Sequence, residues 1–159
     1  MANRQAAGTE PKEVRDDGFS AEERAAMKER AAELKTSGRG RNADKAAADL
    51  EAVLTKIADM PASDRALAER IHALVTTAAP ELLPKLWYGQ PAYARAGKVV
   101  CFFRSGGMDK GRYSVFGFNE EAQLDEPGGV WPVSYAVTAA LSEAGEAALR
   151  ARVEQAVGT

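Results

Sequence analysis

Cysteine and histidine each occur once in the 159 residues, as Cys101 and His72. A single cysteine excludes an internal disulfide and any zinc site built on cysteine pairs. An excess of one charge is lacking too. The 21 Lys and Arg face 23 Asp and Glu, for a net charge of −2. The balance holds along the chain, with 11 basic and 12 acidic groups in residues 1–60 and 10 and 11 in residues 61–159. No global field draws nucleic acid, which is not expected as a partner. No apolar run approaches the roughly 18–20 residues of a membrane span, so no membrane partner is expected either. The opening MANRQAAGTEPKEVRDD carries no apolar core of a signal peptide, and a cytoplasmic location is the expectation. Large core-forming side chains are scarce as well. Apolar residues make up 45%, but 32 of the 159 are alanine. Of 11 aromatic residues, 10 lie between Trp87 and Tyr135.

This unevenness places a folded domain towards the C-terminus, with a thin extension before it. Residues 1–18 hold Gly8, Pro11 and Gly18 and little to bury, and read as disordered. Ser20 and Glu23 form a capping box that opens a helix through about Lys35. Its stripe of Met27, Ala31 and Leu34 is poor, so it reads as a solvated helix, followed by a linker, TSGRGRNAD. A better helix carries Leu50, Val53, Leu54 and Ile57 on one stripe and ends before Pro61. A third, capped by Ser63, presents Leu67, Ile71, Leu74 and Ala78 and stops at Pro80. The boundary therefore falls near residue 44, giving an extension over 1–43 and a domain over 44–159.

Strands follow. Residues 80–90, with Pro80 and Pro84, read as a short helix or irregular entry. Ala92–Arg95 and Lys98–Arg104 flank Ala96–Gly97 as a tight hairpin. Alternation assigns Val99, Cys101 and Phe103 to one face and Val100 and Phe102 to the other, which predicts a central strand. Arg112–Phe118 and Trp131–Val137 read as further strands, the latter an edge because of Pro132. Ser142 caps a last helix with Leu149, Val153 and Val157 on its inner face. Helices, consecutive antiparallel strands and a final helix make an α+β fold with helices on one sheet face.

Several residues invite a chemical reading. Trp87, Tyr88, Gly89, Pro91 and Tyr93, with Lys98 and Trp131, suggest the rim of a ligand pocket where helices meet the sheet. The same glycine and proline could instead set a bend while the aromatics fill the core. Asp109, Glu120, Glu121, Asp125 and Glu126 are the acidic candidates for a hard cation, although adjacent loop acids are ordinarily solvated. His72 stands one position off its helix stripe and reads as solvated, while Cys101 and Ser114 sit mid-strand with no activating base signature. GGMDKGR fails as a phosphate loop, since a strand follows it rather than a helix. No nucleophile–base or carboxylate-pair constellation appears, so the expectation is a protein that is not an enzyme. The helix over 20–35 is a candidate docking element for a protein partner.

The run Pro80–Glu81, then Trp87–Tyr88–Gly89–Gln90–Pro91–Ala92–Tyr93, then Gly97–Lys98 and an apolar strand, resembles the YdhG-like domain family of unknown function. The resemblance covers about Leu50 to Val157. It implies a small α+β fold with a curved antiparallel sheet packed against helices and an N-terminal helical extension. Some members carry the label of frataxin-like intracellular iron chaperones that hold iron on acidic surface residues, which makes iron a candidate cofactor. The resemblance supplies no catalytic residues to carry over.

Overall fold

The computed structural model describes residues 20–36, 42–108 and 110–158. The stretch read as disordered and most of the linker lie outside the described residues. Four helices and five strands follow in the order α1 (Ala21–Thr36), α2 (Asn42–Ala58), α3 (Ala62–Ala78), β1 (Leu83–Trp87), β2 (Gln90–Arg95), β3 (Lys98–Arg104), β4 (Ser114–Phe118), β5 (Ser134–Val137) and α4 (Glu143–Ala156). The strands pair in sequence order, each antiparallel to the next, as an open meander with β3 at its centre. The fold is α+β, with a helical N-terminal part. Among the described residues, no helix is long and apolar enough to cross a membrane.

The helix signals translate directly. Glu23 N–H donates to Ser20 Oγ at 3.1 Å, and Gly145 N–H donates to Ser142 Oγ at 3.1 Å, so both N-caps form. For α3 the boundary residue is Pro61, with no side-chain cap, and Ser63 lies inside the helix. One sheet face packs against α2, α3 and α4. Val53, Ile57, Leu67, Ile71, Leu74, Leu149 and Val153 meet Tyr93, Cys101, Phe103, Phe116 and Phe118 in the main core. Burying each large side chain contributes about 1.5–3 kcal/mol. Tyr93, Phe103 and Phe116, essentially inaccessible, are the heaviest contributors.

Three local readings change. Residues 83–87 form a strand rather than an irregular entry, because at a sheet edge Pro84 removes no needed ladder bond. The alternation of β3 is broken by a bulge. Tyr93 pairs with Cys101 but Ala94 pairs with Val99, so Val100 is an extra residue on β3. Val100 consequently joins the main core, and Val99 joins the opposite face with Ala92, Ala94, Trp87 and Phe102. In α2 the stripe splits, with Val53 and Ile57 buried while Leu50 (38% exposed) and Leu54 (47%) face outward.

The β3–β4 loop is anchored to α3 by one carboxylate. Asp64 Oδ2 accepts from the hydroxyl of Ser105 at 2.5 Å and from the Gly107 N–H at 2.9 Å. Ser105 is fully buried, so loss of its acceptor would strand a polar group away from water. Asp64→Ala is expected to cost about 1–3 kcal/mol in chemical denaturation. Adding Ser105→Ala should cost less in that background than in the wild type, because the hydroxyl then has no partner left to lose.

Candidate functional site

Two adjacent residues turn the chain between β1 and β2. Tyr88 (φ 50°) and Gly89 (φ 73°) both occupy the left-handed region, and Trp87 pairs with Gln90 across them. This is the geometry of a two-residue primed hairpin, in which glycine carries the second position at little cost. Gly89 has a further role: the Glu29 carboxylate of α1 lies where a Cβ would project. The same carboxylate pairs with Lys56 Nζ of α2 at 3.1 Å, and Arg30 lies over the Tyr88 ring at 5.7 Å. A looser pair joins Glu22 to Lys110 at 3.8 Å. Helix α1 thus reaches the hairpin mainly through charged groups.

Beneath α1, the sheet face turned away from the main core carries the Trp87 and Phe102 rings. Their centroids are 5.2 Å apart at 49°, and Tyr88 meets Trp87 edge-on at 4.9 Å. Phe102 packs over Gly117 of β4, its register partner, where a Cβ would run into the ring. Between this aromatic floor and the alanine-rich face of α1 is a cleft of about 700 Å³. Met27 and Met108 complete its apolar wall, and Glu22, Glu23, Glu29, Lys56, Gln90 and Arg104 contribute polar groups. The volume falls within the roughly 300–1,000 Å³ of small-molecule sites.

The structure disperses the residues that the sequence grouped. Trp87, Tyr88 and Gly89 line the cleft. Pro91 and Tyr93 are buried, Tyr93 within the main core. Lys98 is exposed at the start of β3, in register with Arg95 at the far end of β2, and Trp131 packs half-buried against the main core. Glu120, Asp125 and Glu126 are exposed and Glu121 is half-buried; Asp109 lies outside the described residues. Glu126 pairs with Arg152 at 3.4 Å. Among the described residues, no three or more His, Cys, Asp or Glu side chains converge as metal ligands would. Sequence reasoning missed Phe102, Gln90, Met108 and Gly117 as parts of one site. The β-alternation of Phe102 was the available signal, whereas Met108 reaches the cleft from a loop with no pattern of its own.

His72 is not a solvated flank residue. Its Nδ1 lies 2.9 Å from Tyr93 Oη, and burial lowers its pKa from the ordinary 6.5. Burial also pushes the Tyr93 phenol well above its usual range, with the neighbouring Cys101 adding to the effect. The Cys101 thiol is raised by burial as well, which makes it an inert core thiol.

Two outcomes follow from this geometry. Gly117→Ala should displace the Phe102 ring, costing about 1–3 kcal/mol and moving the Trp87 ring-proton resonances. For His72 the folded state favours the neutral ring, while the unfolded chain takes up a proton near 6.5. The stability it confers is complete above that value and falls as pH drops through the lower folded pKa. His72→Gln, which does not titrate, should therefore show a flatter decline of Tm than the wild type between about pH 7 and pH 5.

In comparisons with known proteins, no protein-family model, no curated protein and no solved structure matches the chain.

Proposed function

We propose that this protein is a non-enzymatic small-molecule-binding protein that takes a flat, mainly apolar ligand between α1 and the Trp87–Phe102 floor. The observation that carries the reading is the cleft itself, about 700 Å³ of space roofed by alanines and floored by aromatic rings. Aromatic rings lining a mainly apolar cleft suit a planar aromatic ligand, because ring–ring contact and removal of apolar surface from water both scale with overlap. Two of the charged members of the lining are committed to each other. Glu29 and Lys56 neutralise each other at 3.1 Å, which holds the roof against α2 instead of leaving an acid or base poised.

Alternative readings have less to stand on. YdhG-like membership and an iron-carrying role rest on the resemblance, and the described acidic candidates do not converge. A partner docking through α1 would compete with the contacts of Glu29 and Arg30 to Lys56 and Tyr88.

Naphthalene is a suitable minimal probe. Titration followed by NMR should move the indole Nε1–H resonance of Trp87, assigned with a Trp131→Phe variant, and leave that of Trp131 in place. Phe102→Ala should weaken the response at least several-fold by removing half of the floor. A Trp87 resonance that stays still at the solubility limit of the probe, together with an unchanged Phe102→Ala titration, would overturn the reading.

A further inference from the structure

Resting on that reading, we infer that Gln90 is the specificity-determining residue of the cleft and that its side chain selects planar ligands bearing a hydrogen-bond acceptor, such as a ring nitrogen or a carbonyl. An amide can present either its oxygen or its nitrogen to a site, and the network around it decides which. Here the decision is made by the backbone. Ser105, fully buried, donates its N–H to Gln90 Oε1 at 3.2 Å. Turning the amide over would set two donors against each other at a buried position, which is costly. Gln90 Nε2 is therefore held on the other side, where it donates to Met108 Sδ at 3.4 Å.

A thioether sulfur is a weak acceptor. The donor that lines the cleft is thus oriented but poorly matched, and its partner is the flexible side chain of Met108, itself part of the cleft wall. A ligand acceptor that takes the place of Met108 on Nε2 exchanges a weak hydrogen bond for an ordinary one without reorienting the amide. An apolar ligand of the same shape gains no such exchange. Gln90 stands beside Trp87 in the pairing that closes the hairpin, which puts the donor next to the aromatic floor. Discrimination thus concerns the acceptor, and affinity comes from the rings.

Quinoline and naphthalene share one shape and differ by a ring nitrogen, so they separate the two contributions. Measured by NMR titration at about pH 8, where quinoline is neutral, both probes should move the Trp87 indole resonance. Only quinoline should move the Gln90 side-chain amide resonances. Gln90→Glu keeps the acceptor for Ser105 N–H and replaces the donor by a second oxygen. It is expected to lower the quinoline-to-naphthalene affinity ratio about three- to tenfold. Met108→Leu keeps the wall and removes the competing sulfur, and should raise that ratio. An unchanged ratio in both variants would overturn the inference and leave the binding function standing. Failure of both probes to move Trp87 would overturn the inference and the binding function together.

Discussion

A five-stranded sheet has two faces, and among the described residues large apolar side chains cover only one of them fully. Three helices close the first face over Tyr93, Phe103, Phe116 and their neighbours. The second face carries a smaller set, Trp87, Phe102, Ala92, Ala94 and Val99, and among the described residues α1, a helix of alanines and charges, lies over its Trp87–Phe102 part. Alanine removes little apolar surface from water and fills little space. The helix roofs the aromatic floor without packing into it, and the cleft is the volume that remains.

The attachment of α1 follows from the same shortage. Its links to the rest of the chain include the Glu29–Lys56 pair, the Arg30–Tyr88 stacking and the loose Glu22–Lys110 pair. An exposed pair such as Glu22–Lys110 contributes about 0.2–1 kcal/mol and weakens with salt, whereas the Glu29–Lys56 pair is part-buried. The hairpin supplies the rigid side of the contact. Its left-handed turn at Tyr88–Gly89 aims Tyr88 outward under Arg30 and leaves room at Gly89 for the Glu29 carboxylate. Backbone geometry at two residues therefore positions both the cleft floor and the anchor of its roof.

Much of the architecture was legible in the chain. Helical spacing marked α2, α3 and α4, hydroxyl caps marked the starts of α1 and α4, and alternation with Ala96–Gly97 marked the β2–β3 hairpin. What was misread has specific causes. β1 was hidden because a proline that would break a central strand is tolerated at an edge. The two faces of β3 were swapped before Cys101 because one extra residue at Val100 reverses a period of two. Tyr93 and Tyr88 looked like members of one cluster because they are close in sequence, yet the main core holds one and the cleft the other.

By itself the sequence determined the fold class, the core faces of α3 and α4 and the scarcity of large side chains in α1, because these depend on short-range periodicity and composition. Only the tertiary structure decided that Met27, Lys56, Trp87, Gln90, Phe102 and Met108 share one cleft. These residues come from two helices, three strands and a loop, and no local pattern encodes their meeting. It also decided which end of the Gln90 amide faces the cleft, since that choice belongs to a backbone N–H 15 residues away in sequence. Periodicity records what each segment must bury; which unburied groups then face one another depends on how the segments pack.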